Sequence, residues 1–149
     1  NRKNNVTNTL SRLLSLSVIP VINENDTVAT EEIEFGDNDT LSAIVAAIVQ
    51  ADLLMILTDI DGLYDSDPHL NPKAKKIPVV TMIDDAVLAV GGNKGFEFGA
   101  GGMAAKLHAA QLCMEEKSPM VIMKGNRPSR IYGLLDGEDI GTLFYAGRT

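Results

Sequence analysis

The sequence predicts a layered α/β fold, and three observations carry the prediction. Continuous apolar runs of strand length, Leu53-Leu-Met-Ile-Leu57 and Met120-Val-Ile-Met123, alternate with stretches whose apolar residues recur at helical spacing. Polar residues collect where the strands stop, the edge on which open α/β sheets bind ligands. The 149 residues are one domain's worth of chain, enough for a single core. Strands separated by helices then imply a layered sheet with right-handed crossovers.

The elements follow in order. Thr7 to Leu16 carries Leu10, Leu13 and Leu14 behind Val6, an amphipathic helical stripe. Val18-Ile-Pro-Val-Ile22 reads as a short buried strand, with Pro20 placing it near a sheet edge or strand start. It runs into a polar cluster, Asn23, Glu24, Asn25 and Asp26, and a second cluster, Asp37, Asn38 and Asp39, follows beyond Gly36. Asp37 to Asp39 offer N-caps for a helix from Thr40 to Ala51. That helix is apolar almost all round, through Leu41, Ile44, Val45, Ile48 and Val49, so burial on several sides is expected.

Leu53 to Leu57 reads as a parallel strand covered on both faces, stopping at Thr58-Asp59. Asp61 to Pro68 and Asn71-Pro72 are turn-rich. Ile77 to Val80 fits a short edge strand, and Asp84 or Asp85 can cap a brief helix through Val90, closed by Gly91-Gly92. A glycine-rich loop from Gly91 to Gly102 then opens a helix of about four turns through Lys117. The strand at Met120–Met123, a weak helix after Arg127-Pro-Ser-Arg130 and a last strand at Thr142–Phe144 complete the chain.

Composition narrows the function classes. A net charge of −7 with no basic stripe argues against nucleic-acid binding. An anionic ligand would need local compensation from a metal ion, a helix N-terminus or one placed lysine. No apolar run approaches the ~20 residues that span a bilayer, and the first residues do not resemble a signal peptide. A cytoplasmic protein is expected. Cys113 cannot form an internal disulfide and falls on an apolar helical side, where a buried spectator is expected. The sequons at Asn5, Asn25 and Asn38 are coincidences in a cytosolic chain. His69 and His108 lack a second metal-type ligand at suitable spacing and read as structural or solvated.

Three constellations could carry chemistry. Gly99-Ala-Gly-Gly-Met-Ala-Ala-Lys106 combines close backbone approach, a helix N-terminus and a lysine one turn in, which suits a phosphate. It is not a P-loop, because Leu107 follows Lys106, and it reads equally as a flexible glycine turn with a solvent-facing lysine. Thr58 and Asp59 stand at the end of a buried strand, whereas Asp65 and Asp67 read first as turn formers. The two polar clusters around Asn23–Asp26 and Asp37–Asp39 could meet both ends of a zwitterion, carboxylates accepting from an ammonium and amides donating to a carboxylate. Helix capping accounts for one of Asp37, Asn38 or Asp39 but cannot absorb all of Asn23, Glu24, Asn25 and Asp26.

Val21-Ile-Asn-Glu-Asn-Asp-Thr-Val28, Phe35-Gly-Asp-Asn-Asp39, Leu57-Thr-Asp-Ile-Asp-Gly-Leu-Tyr64 and Gly99 to Lys106 together resemble the glutamate 5-kinases (γ-glutamyl kinases) of the amino acid kinase family. The third segment is shared with aspartate and uridylate kinases; Asn-Glu-Asn-Asp with Phe-Gly-Asp-Asn-Asp is the discriminating part. The resemblance implies a three-layer α/β/α sandwich with a mainly parallel sheet. It also implies transfer of the ATP γ-phosphoryl group to the side-chain carboxylate of L-glutamate, in proline biosynthesis. Asn23, Asp26 and Asn38 would hold glutamate, and Asp39 would orient the lysines that contact the phosphates. Thr58 and Asp59 would contact the nucleotide, and Gly99, Ala100, Gly101, Gly102, Met103, Ala104, Ala105 and Lys106 would form its phosphate loop, with Mg²⁺ bridging the phosphates.

Ala100 and Ala105 stand where this family usually has threonines, so hydrogen bonds to ATP worth about 0.5–1.5 kcal/mol each would be lost. The family's opening strand, lysine and glycine-rich turn do not match any part of the chain. Residues 1–149 are therefore expected to be the C-terminal, nucleotide-side part of a kinase domain, inactive alone, with no RNA-binding-type domain following. An exposed sheet edge would favour self-association into a homo-oligomer. The alternatives are another member of the family, acting on aspartate or UMP, and a non-catalytic nucleotide-binding half-domain.

Overall fold

Two apolar runs build the centre of the fold. In the computed structural model, which describes residues 2–23, 38–92 and 102–147, β1 (Leu54–Thr58) and β5 (Met120–Lys124) pair in parallel, from Leu54 opposite Met120 to Thr58 opposite Lys124. β6 (Thr142–Phe144) pairs antiparallel with β5, and β4 (Val79–Val80) pairs in parallel with β6. The order is β1-β5-β6-β4, and two of the three pairings are parallel. β2 (Leu63–Tyr64) and β3 (Lys76–Ile77) form a separate antiparallel pair.

The period-2 alternation of β5 separates two cores. Met120 and Ile122 join Ile56 and Phe144 under α2 (Asn38–Val49) and α4 (Met103–Glu115), while α3 (Asp85–Gly92) adds Val87 and Val90. Val121 and Met123 face the opposite way, against Ile140 and against Ile131 and Leu134 of α5 (Arg130–Leu135). Helices on both faces of a mainly parallel sheet make the expected α/β/α arrangement. Each fully buried Leu, Ile or Met contributes about 1.5–3 kcal/mol, so the β5 strand, all but Lys124 buried, anchors the fold.

Local chemistry explains the helix ends. Asp84 caps α3 by accepting from the Val87 N–H at 2.9 Å, as its position before the apolar run predicts. Three helices stop through the same device: α1 (Arg2–Ser15), α2 and α4 end in left-handed residues, Ser17, Gln50 and Lys117. In each the next amide reaches back five residues, as in Ser118 N–H to the Cys113 carbonyl at 2.8 Å. This is the Schellman geometry, here without glycine.

Several expectations are corrected. Val18–Ile22 is not a buried strand: Ile19 is 87% and Val21 94% exposed, and the run joins no ladder. A strand is buried only beside a partner, and among the described residues none lies there. The first helix begins before Thr7, at Arg2. The fully buried residues of α2 are the small ones, Thr40, Ala43 and Ala46; Leu41, Val45, Ile48 and Val49 are partly buried, and only Ile44, at 47%, is exposed among its large apolar residues. Alanines let α2 approach α4 closely, which leaves the larger residues at the margins of the contact. β1 is likewise covered well on one face only, by burial of Ile56, because it is the edge strand of the described sheet and Leu57 is 44% exposed. The apolar run at 77–80 divides at Pro78, which has no N–H for a ladder, into β3 and β4 of different sheets. Cys113 is buried as expected, and burial pushes its thiol up to about 11. Among the described residues no helix is long and apolar enough to cross a membrane.

Candidate functional site

α4 starts where the glycine run ends. Gly102 is its N-cap in extended conformation, φ −68° and ψ 176°, and supplies no side-chain cap. The helix therefore presents first-turn amides and its positive dipole end without a built-in carboxylate. One turn in, the inward side of α4 carries Lys106, whose side chain is only 7% exposed.

The charge of Lys106 is met from α2. Asp39, in the first turn of that helix, accepts from Lys106 Nζ through Oδ2 at 3.0 Å, and its side chain is 16% exposed. Two groups 67 residues apart in sequence are thus joined by the packing of α2 on α4. α2 begins at Asn38 rather than at Thr40, so Asp39 lies in its first turn, and its carboxylate meets the lysine.

β1 brings the next pair. Thr58 is its last residue, and the Thr58 hydroxyl donates to Asp59 Oδ1 at 3.0 Å. That hydrogen bond, then the backbone amide of Asp59 and the cations Lys106 and Lys124, hold the Asp59 carboxyl below its usual range against an opposing desolvation. Asp59 is exposed and ionised near neutral pH, within electrostatic reach of the buried lysine.

These elements enclose a cavity of about 290 Å³, walled by Asp59 after β1, Leu63 and Tyr64 of β2, Asp67 in the following turn, Val90 of α3, and Gly102, Met103 and Lys106 at the start of α4. A larger recess of about 520 Å³ lies among the C-terminal ends of α2 and α4, near Gln50, Asp52, Glu116 and Lys117. It contains none of the residues singled out by sequence, and no helix N-terminus opens into it. The smaller cavity at the strand ends is the candidate site.

The predicted site residues divide accordingly. Asp39 and Lys106 meet, Thr58 and Asp59 are bonded, and Asp59, Gly102, Met103 and Lys106 share the cavity. Ala105 is partly buried and Ala104 exposed in the first turn of α4. Asn38 is exposed at the head of α2, and Asn23 is exposed beyond α1; neither lines the cavity. Asp26, Gly99, Ala100 and Gly101 lie outside the described residues.

Sequence reasoning missed Lys124, Tyr64 and Val90. The strand-end rule that selected Thr58 would also have found Lys124, the last residue of β5 opposite Thr58. Asp65 and Asp67 act as turn formers: Asp65 Oδ1 accepts from the Lys75 N–H at 2.9 Å and Asp67 Oδ1 from the His69 N–H at 2.8 Å. The Lys75 amide is the largest influence holding the Asp65 carboxyl below 3.8, its ordinary value. A depressed folded value means that this contribution is complete above the unfolded pKa and is lost as pH falls through the folded one. Acid titration followed by NMR is expected to place the Asp65 midpoint below 3.8, with the Lys75 amide losing exchange protection in the same step. A midpoint at or above that value would contradict the role given to this bond.

Known proteins resemble this chain in sequence and in fold. The family model described as the amino acid kinase family matches residues 1–124. Glutamate 5-kinase of Listeria monocytogenes serotype 4a (strain HCC23) is 49% identical over 146 residues, covering 95% of this chain and 53% of that protein. Glutamate 5-kinase of Symbiobacterium thermophilum is 54% identical over 135 residues, covering 91% and 51%. The chain thus spans about half the length of the curated relatives it matches. Among solved structures, UMP kinase from Bacillus anthracis superposes with a TM-score of 0.66 at 20% identity, over 95% of this chain and 52% of that one, a likeness of fold. With the family model matching residues 1–124, through the end of β5, the chain belongs to the amino acid kinase family.

Proposed function

We propose that this chain supplies the nucleotide side of a glutamate 5-kinase, which transfers the ATP γ-phosphoryl group to the side-chain carboxylate of L-glutamate. The observation that carries the reading is Lys106, in the wall of the cavity and paired behind it with Asp39. A lysine paired with a carboxylate, at the start of a helix whose N-cap glycine supplies no side-chain cap, is a fixed positive charge in a protein whose net charge is −7. ATP phosphates would lie on the α4 N-terminus, with Gly99 to Lys106 as their loop, Lys106 on the terminal phosphates and Thr58 and Asp59 at the nucleotide.

The reaction needs little from the protein beyond placement and charge. A glutamate carboxylate oxygen attacks the γ-phosphorus, the bond from that phosphorus to the β,γ-bridging oxygen breaks, and ADP leaves with the electron pair. The acceptor carries no proton to be removed, so no general base is required. Lys106 neutralises charge on the transferring group, and Asp39 holds the ammonium in place so that it need not reorganise. Asn23, Asp26 and Asn38 would hold the amino acid, Asp26 facing its ammonium. Mg²⁺ fits as an ion carried by the phosphates: it keeps several waters and typically takes one or two protein carboxylates. Among the described residues Asp59 offers one, ionised and exposed. The ion would supply further charge neutralisation at the β- and γ-oxygens.

The relatives at 49% and 54% identity favour glutamate over other acceptors, whereas the UMP kinase likeness is one of fold. The test is ADP release by an intact kinase that contains this chain, with Mg²⁺-ATP and glutamate, aspartate or UMP in parallel. Glutamate-dependent release is expected. Turnover with aspartate or UMP alone would overturn the substrate assignment, and ATP binding without transfer to any of the three would mark a nucleotide-binding module instead.

A further inference from the structure

The β2–β3 hairpin forms one wall of the cavity through Leu63 and Tyr64, yet among the described residues no ladder joins it to the main sheet. β3 continues through Pro78, whose carbonyl accepts from the Leu143 N–H at 2.9 Å, into β4, and a hydroxyl ties both strands of the hairpin to β6. Thr142 Oγ1, at the start of β6, accepts from the Leu63 N–H at 2.8 Å and donates to the Ile77 carbonyl at 2.6 Å. Leu63 and Ile77 are opposite one another in the hairpin, so the one oxygen closes on both strands at the same register position. Thr142 is fully buried at 0% exposure, and water cannot take over either bond.

The hairpin is also fitted to that hydroxyl sterically. Gly62, with φ +148°, immediately precedes β2, and a Cβ built on it would stand 2.7 Å from Thr142 Oγ1. The backbone therefore approaches the hydroxyl as closely as a glycine allows. Gly141, at φ +80°, gives the chain its turn into Thr142 on the other side.

We propose that Thr142 is a positioning residue for the nucleotide: by pinning the Leu63–Ile77 pair to β6, it sets the gap between the Tyr64 wall and the first turn of α4. The inference rests on the cavity being the nucleotide site. Substitution Thr142→Val keeps the shape and removes both hydrogen bonds; Thr142→Ser keeps the hydroxyl. A hairpin released from its pin widens the nucleotide cavity and leaves the residues proposed for glutamate untouched. The prediction is therefore selective.

Steady-state kinetics and melting temperature of an intact kinase that contains this chain test it. T142V is expected to raise KM for ATP about tenfold, equivalent to about 1.4 kcal/mol, while KM for glutamate stays within about twofold and T142S restores the parent KM for ATP. A melting temperature that falls in T142V with KM for ATP unchanged overturns the proposal and leaves Thr142 a stability residue. Should T142V fail to fold, Gly62→Ala, which presses on the same hydroxyl without removing it, is expected to give the same selective rise, and an unchanged KM for ATP there overturns it equally. A parent protein that does not bind ATP at all refutes the nucleotide reading itself, a result distinct from a parent that binds and a T142V that binds as well.

Discussion

Asp39→Ala is expected to destabilise the protein by about 3 kcal/mol, the lower end of the range for breaking a buried pair, and to lower kcat about a hundredfold. The two losses have different origins. Stability falls because Lys106, 7% exposed, loses the carboxylate 3.0 Å away while it stays in a low-dielectric wall. Activity falls because the ammonium is no longer held where the transferring charge develops. A double variant, Asp39→Leu with Lys106→Met, separates them. Apolar replacement of both partners is expected to recover most of the stability and none of the activity. Urea denaturation with parallel ADP-release assays reads both quantities; Asp39→Ala within 1 kcal/mol of the parent, a threshold well below the usual cost, would show that the pair does not support the fold.

Phe144→Ala is expected to cost about 3–5 kcal/mol with little change in KM for either substrate in the folded fraction. Phe144 is the largest side chain with 0% exposure. It lies in β6 opposite Met120 on one side and Val80 on the other, so its ring fills the core at the junction of three strands. Truncation leaves a cavity among Ile122, Met120 and Leu107, buried residues of the same core that the rigid sheet cannot close over. Leu143→Ala, on the neighbouring and partly buried position, is the control and should cost clearly less. Comparable losses from both would mean that the first core is no better packed than the second.

Much of the fold was legible in the sequence where one residue type had one use. Consecutive apolar residues at 120–123 read as a strand, and they are buried throughout, whereas the similar run at 53–57, read as covered on both faces, is not. Thr142–Phe144, Cys113 and the Asp84 cap were legible for the same reason. The failures share a cause as well. Val18–Ile22 has the composition of a buried strand, but composition states only that a segment could be buried, and a partner must exist to bury it. α2 has large apolar residues on every side, yet its packed face was chosen by close approach to α4, which favours Ala43 and Ala46 over Ile44. Leu63–Tyr64 is too short to show any period, so its pairing with Lys76–Ile77 depended on a turn region closing through Asp65.

Apart from the role that the family resemblance implied for Asp39, the sequence by itself determined the α/β alternation, the strand ends that carry Thr58 and Asp59, the glycine-led start of α4 and Lys106 one turn inside it. Those are local properties: periodicity, capping and backbone freedom act over one to four residues. Tertiary structure alone decided that Asp39 reaches Lys106 from 67 residues away, that Lys124 lies near enough to depress Asp59, and that a hydroxyl at position 142 holds both strands of a hairpin. Each depends on which surfaces meet when the core closes. Two sequences with the same local signals can differ in that, because distant partners are selected by the shape and volume of what packs between them.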